Sequence, residues 1–294
     1  MGEKLIRPQR PRELQDPLNH YLYHPLAWQL ARLLAKTPIT PNMVSVLGGL
    51  SVIAAAWAYA QPVFPQSALL GLGLHMAWHV IDGADGDLAR ITGKSSPIGE
   101  MVDGLCDYIS HVVLYLVLGW LLHFSLGGSA WLWMLAAGAS HVLQTNHVEV
   151  QRRQYQYWVY GTPWIRHSHK AGSDTAKSGF AALVTLYLGV ASSMTPEALK
   201  IDAAVEAALE DPAQMQQIRA AVRAEAPPLL AICKWLGPNP RAIVLGASML
   251  LGGPGWGGAV FYFGFVSIPL NLLLVWSLRL HNRAARRIAA RIAG

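Results

Sequence analysis

Six carboxylates fall in one stretch, Asp82 to Asp107 (DGADGDLARITGKSSPIGEMVDGLCD): Asp82, Asp85, Asp87, Glu100, Asp103 and Asp107. The stretch lies between two apolar runs, where an acid is costly unless something pairs with it. At helical pitch Asp82, Asp85 and Ala89 share one face (i, i+3, i+7), and Asp103 and Asp107 share another (i, i+4). A break from Gly93 to Pro97 lets the two faces meet. Four convergent carboxylates read as a site for a divalent metal. Asp, rather than Cys or His, suits a hard ion such as Mg2+ or Mn2+. Two such ions would clamp phosphate oxygens and neutralise charge developing at phosphorus. Arg90, on the same broad helix face as Asp82, can grip a phosphate bidentately. Gly83, Gly86 and Ala89 remove bulk, so a base or pyrophosphate can come close to the backbone. The implied chemistry acts on a diphosphate at a membrane surface. Asp87 and Glu100 fall off the metal faces and are expected to be solvated.

The elements that carry these residues are spans. Over 294 residues the apolar fraction is 53%, the charged fraction 14% and the mean hydropathy +0.29. Apolar windows of spanning length recur, so an all-α polytopic membrane protein is expected. The net charge of +6 gathers in the N-terminus, residues 152–177 and the C-terminal tail. Because these basic residues flank apolar spans, an anionic lipid surface, not nucleic acid, is the expected partner. Cys106 and Cys233 offer neither a disulfide framework nor zinc spacing, and Cys106 reads as a small packing residue. No signal peptide is expected, since the early residues hold no long apolar core.

In chain order, residues 1–16 read as a loose cytoplasmic leader and 17–34 as an interfacial amphipathic helix, together the segment 1–40. Thr37 to Asn42 is a break and cap. Four spans follow within 41–171, near 42–60, 67–90, 98–124 and from 130, the last ending in polar residues that project toward Tyr160. Residues 172–237 read as a helical insertion lying against the cytoplasmic face; the alternative makes 177–194 a fifth span. Spans five and six, near 241–251 and 258–278, and a basic cytoplasmic tail complete 238–294. Cytoplasmic placement of Arg152, Arg153, Arg166, Lys170 and Lys177 puts the acidic stretch on the cytoplasmic side, in a bacterial inner membrane.

The pattern Asp82-x2-Asp85-Gly86-x2-Ala89-Arg90-x8-Gly99-x3-Asp103-x3-Asp107 resembles the signature of the CDP-alcohol phosphotransferases, with eight fixed identities over 26 residues and no departure. The resemblance extends over most of the chain and is weakest in 172–237. It implies that Asp82 and Asp103 bridge two Mg2+ or Mn2+ ions, that Asp85 completes one site and that Asp107 completes the other. It also implies that Asp107 acts as general base on the acceptor hydroxyl, and that Asn42, Asp82, Gly86, Ala89, Arg90 and Ser96 contact the CDP-linked donor. The implied reaction is in-line attack by an alcohol acceptor, releasing CMP, in a homodimeric protein embedded among membrane lipids. The simplest donor is CDP-diacylglycerol; transfer of a CDP-linked small headgroup to a lipid alcohol is the alternative.

Arg152, Arg153 and Arg241, with His147 and Glu149, are the candidate acceptor-binding residues; the basic 152–177 region favours inositol phosphate or glycerol phosphate. Asn271 is expected to bond between helices, and the tryptophans to form an interfacial belt. Two rivals come from other classes. An intramembrane prenyltransferase would carry Asp-rich clusters on well-separated spans, and no second cluster occurs. A cation transporter would not place Arg90 beside its coordinating acids.

Overall fold

Proline opens six of the long elements, because the first helical residue needs no N–H donor. The helices are α1 His24–Leu34, α2 Pro41–Tyr59, α3 Gln66–Thr92, α4 Pro97–Leu126, α5 Ser129–Tyr160, α6 Ala198–Ala207, α7 Pro212–Glu225, α8 Pro227–Trp235, α9 Pro238–Leu251, α10 Gly257–Ser267 and α11 Pro269–Ala293. They belong to a computed structural model that describes residues 10–163, 189–190, 192–253 and 257–293, and no strand occurs among those residues. Side-chain caps mark the starts: Thr40 accepts from the Met43 N–H at 3.4 Å, Ser96 from Gly99 at 3.0 Å, and Asp211 from Ala213 at 2.9 Å. Gly93, at φ +65°, closes α3 in the left-handed region, which a residue with a Cβ would enter at a cost. The break expected between Gly93 and Pro97 is therefore present, and it turns α4 back along α3.

The described residues divide into two compact units: those of Met1–Ser140 with Pro238–Ser267, and those of His141–Gly237 with Ile268–Gly294. In the first unit α2 packs on α3 and α4, α1 on α3, α9 on α3 and α10, and α10 on α4. Small residues permit the closest approaches. A Cβ on Gly49 would stand 3.3 Å from the Cys106 carbonyl oxygen, so Cys106 is the packing residue expected of it. A Cβ on Gly83 would stand 3.1 Å from that of Ala27. Gly83 thus serves the seating of α1 on α3, a correction to its reading as space for substrate.

α1 is amphipathic. Ala27 and Ala31 join Val44, Ala84 and Leu88 in a buried cluster, while Leu26 and Leu33 stay exposed. The segment before it is not loose over its described part. Gln15 Nε2 donates to the Arg10 carbonyl at 2.7 Å, Gln15 Oε1 meets His24 Nδ1 at 2.9 Å, and Asn239 Nδ2 donates to Asp16 at 2.8 Å. A polar, proline-rich composition suggested a free leader; long-range hydrogen bonds hold it instead.

Three helical stretches among the described residues are long and apolar enough to cross a membrane: Pro41–Tyr59 in α2, Gly99–Leu126 in α4, and Gly257–Ile292, which runs through α10 and α11. Large apolar side chains on them face outward, including Trp57, Trp120, Phe124, Leu272 and Trp276, which gives the chain its membrane-protein character. α3 and α5, at 27 and 32 residues, have the length to cross but are interrupted by polar groups.

In the second unit α11 packs on α6, α7 and α8, and α7 packs on α8. Acids of the insertion meet arginines of the tail: Glu225 pairs with Arg291 at 2.8 Å and Arg287 at 3.5 Å, and Glu197 with Arg286 at 3.7 Å. Gln144 Nε2 donates to Asn271 Oδ1 at 2.8 Å, the interhelical bond expected of Asn271. Arg166, Lys170, Lys177 and most of the alternative span at 177–194 lie outside the described residues.

Candidate metal centre

The last turns of α3 and the first turns of α4 carry the acids to one place. One carboxylate oxygen from each of Asp82, Asp103 and Asp107 lies within 4.8 Å of the others, so the three could hold a metal ion. Oxygens sharing one Mg2+ at about 2.1 Å stand at most about 4.2 Å apart, so a small side-chain movement would close the set. The carboxylates of Asp82 and Asp107 lie against each other, and those of Asp85 and Asp103 do likewise. Four hard oxygen donors, partly buried and crowded together, are a poor arrangement for bare charges and a good one for divalent cations.

Neighbours fix the orientation of these acids. Ser45 Oγ donates to Asp85 Oδ2 at 2.5 Å, and Trp78 Nε1 donates to Asp107 Oδ1 at 2.8 Å. The Asp107 carbonyl accepts from Ser110 Oγ at 3.0 Å and from His111 Nδ1 at 2.8 Å. Trp78 is 6% exposed, with its ring 4.5 Å from that of His79 and 4.7 Å from that of His111. Neither Ser45 nor Trp78 emerged from the sequence. The signal for Trp78 was its place one turn before Asp82, on the same face of α3.

On the donor side, Asn42 and Ser96 come together around Gly99. A Cβ on Gly99 would stand 3.3 Å from Ser96 Oγ and 3.5 Å from Asn42 Oδ1. Ser96 Oγ already accepts the helix-capping bond, which leaves its own hydrogen to donate. The Arg90 guanidinium lies beside the Gly86 backbone, with Nη2 3.5 Å from where a Cβ would stand. Ala89 is half-buried. Glu100 is exposed, as expected, but Asp87 is not. Asp87 is buried and accepts from both Arg90 and Arg10, so the expectation of a solvated residue fails because two cations compensate it.

The candidate acceptor residues separate. Arg241 lies in the first unit and is 2% exposed, near Tyr115 and Tyr262. The other four lie in the second. Glu149 bonds Arg153 at 2.6 Å and Arg152 at 2.9 Å, so the three together carry only one net positive charge. His147 is buried, and its Nε2 meets Ser277 Oγ at 2.9 Å and Gln151 Nε2 at 2.7 Å. The amide can only donate, so His147 Nε2 accepts and Nδ1 carries the proton. Its bonds serve the interior of that unit.

Residues 38–201 match the family model described as CDP-alcohol phosphatidyltransferase. That range includes every candidate metal and donor residue. Among similar proteins, archaetidylinositol phosphate synthase of Aeropyrum pernix is 33% identical over 97 residues, covering 31% of this chain and 47% of the relative. Ethanolaminephosphotransferase 1 of Homo sapiens is 31% identical over 150 residues, covering 40% and 37%. Phosphatidylinositol phosphate synthase of Mycobacterium tuberculosis is 31% identical over 97 residues, covering 32% and 42%. The chain spans less than half the length of each of these relatives.

Proposed function

The chain belongs to the CDP-alcohol phosphatidyltransferase family, and on that premise we propose that it transfers a phosphatidyl group from CDP-diacylglycerol to a polar alcohol, releasing CMP. The observation that carries this reading is the meeting of Asp82, Asp103 and Asp107 at one point, with the Arg90 guanidinium beside the Gly86 backbone later on the helix that bears Asp82. Asp82, Asp85, Asp103 and Asp107 would hold two Mg2+ or Mn2+ ions, which supply charge neutralisation at the phosphates when bound. Arg90 grips the donor phosphates, while the small Gly86 and Ala89 leave room for them. Asn42 and Ser96 contact the nucleotide side of the donor.

Asp107 takes the proton of the acceptor hydroxyl. The Trp78 N–H secures one carboxylate oxygen, leaving the other to receive that proton. The freed alcohol oxygen then bonds to the phosphorus bearing the diacylglycerol, and the bond from that phosphorus to the CMP oxygen breaks. No covalent link to the protein is needed, since positioning and charge stabilisation lower the barrier.

For the acceptor, the names of two relatives favour a phosphorylated inositol, with Arg241, which lies in the same unit as the aspartates, as its candidate cationic contact. The ethanolamine-transferring relative favours the second reading, passage of a CDP-linked headgroup to a lipid alcohol. The salt bridges of Glu149, which lower the charge available to an anionic acceptor, suit that second reading as well. We place the protein as a six-span homodimer in a bacterial inner membrane, with the aspartates facing the cytoplasm.

Purified protein with Mg2+ or Mn2+ tests both readings. CDP-diacylglycerol with inositol phosphate or glycerol phosphate, and a CDP-linked headgroup with diacylglycerol, are the paired assays. CMP from the first pair alone supports phosphatidyl transfer, and CMP from the second alone supports headgroup transfer. CMP from neither sinks the proposal.

A further inference from the structure

The signature residue Arg90 does not stand alone. Its Nη2 donates to Asp87 Oδ1, and the same oxygen accepts from Arg10 Nη2 at 2.8 Å. The Asp87 side chain is 3% exposed, that of Arg90 48% and that of Arg10 29%. One arm of the Arg90 guanidinium is thus tied to a buried carboxylate while half the side chain stays open. It lies beside the Gly86 backbone, with Nη1 3.7 Å and Cζ 3.9 Å from the position of an added Cβ. Arg10 arrives from the segment before α1, 77 residues away in sequence, and is itself held through Gln15. Two guanidinium groups around one carboxylate leave a local charge of +1, and that charge sits one residue beyond the metal-ligand candidate Asp85 and its neighbour Gly86.

We infer that Asp87 is a positioning residue for donor binding: it holds Arg90 in the pose that meets the donor diphosphate, and Arg10 locks it there. This rests on the proposed CDP-linked donor. The physical case is entropic and electrostatic. A free arginine side chain loses rotamer freedom when it grips a phosphate, and a side chain already tied down has given up most of that freedom beforehand. The second guanidinium lets Asp87 remain charged in a buried place without neutralising Arg90, so the pair still presents positive charge to the donor. Arg90 would hold the donor equally before and during reaction, so loosening it should raise KM for the donor and leave kcat nearly unchanged.

The test compares full-length wild type, Asp87→Asn and the double variant Arg10→Gln/Asp87→Asn in detergent. The double variant keeps the local charge at +1, so it remains informative if Asp87→Asn alone fails to fold. Donor KM is measured by CMP release and CDP affinity by calorimetry with Mg2+. The expected result is a rise of about tenfold in donor KM and in the CDP dissociation constant, with kcat within threefold and acceptor KM unmoved. A merely structural role would instead lower thermal stability and the active fraction without moving donor KM. Donor KM and CDP affinity within twofold of an active wild type would overturn this inference alone. A wild type that neither releases CMP nor binds CDP would overturn the functional reading and this inference with it.

Discussion

Replacing Trp78 by Phe isolates one hydrogen bond. The indole N–H donates to Asp107 Oδ1 at 2.8 Å, with His79 tilted against the indole and His111 edge-on to it. Phenylalanine keeps a ring between those imidazoles and removes the donor. A hydrogen bond to a charged partner contributes roughly 1.5–3 kcal/mol, which corresponds to about 10- to 150-fold in kcat/KM if the bond orients the base during proton transfer. The smaller ring also leaves space, at a cost to stability of about 1–3 kcal/mol, which a thermal melt reports separately. The assay is the initial rate of CMP release by protein that elutes as a single folded species. Because Trp78 acts through Asp107, Trp78→Phe/Asp107→Asn should be no slower than Asp107→Asn alone. Folded Trp78→Phe with kcat/KM within threefold of wild type would refute the reasoning, and so would full additivity in the double variant.

Three further outcomes follow from the packing. Gly71→Ala would drive a Cβ to 2.5 Å from the buried Tyr59 ring, so overpacking should lower stability by about 1–3 kcal/mol; an unchanged melting temperature would contradict the α2–α3 packing. Ser45→Ala removes the donor to Asp85 Oδ2, and loss of such a partner should raise the half-saturating Mn2+ concentration on the order of 10-fold, as read from metal titrations of CMP release. Burial pushes the Cys233 thiol up to about 12, so at pH 8 almost no thiolate forms and maleimide should label Cys233 only after denaturation. Rapid labelling of the native protein would show that α8 does not bury the thiol against Gln151.

The acids were legible because their chemistry and their spacing coincide. Intervals of three and four residues put Asp82 with Asp85 and Asp103 with Asp107, and Gly93 with Pro97 can only break the chain between them. Thr40, within the break and cap at Thr37 to Asn42, announced its helix for the same local reason. What escaped depends on contacts between distant residues. Asp87 looked solvated by its helix face, yet its second partner is Arg10, in a segment with no periodicity to suggest a docked position. Gly83 looked like space for substrate until α1 was seen to seat Ala27 against it. Trp78 stands one turn before Asp82 on the same face of α3, but its bond runs across to Asp107 on α4, which spacing within one helix does not show. The basic region at 152–177 read as anion-binding charge, but Glu149 sits at salt-bridging distance from both Arg152 and Arg153. Helical spacing permitted that pairing without requiring it.

The central claim is that the aspartate cluster moves a phosphoryl-linked group from a CDP-linked donor to an alcohol. Its most direct measurement is the stoichiometry of CMP released to lipid product formed, by wild type and by Asp107→Asn, before and after chelation of divalent metal. The account predicts one CMP per product for wild type, none after chelation, recovery on adding Mg2+ or Mn2+, and only a residual trace at any metal concentration for folded Asp107→Asn. Product formed without CMP, or by Asp107→Asn at the wild-type rate, would contradict it.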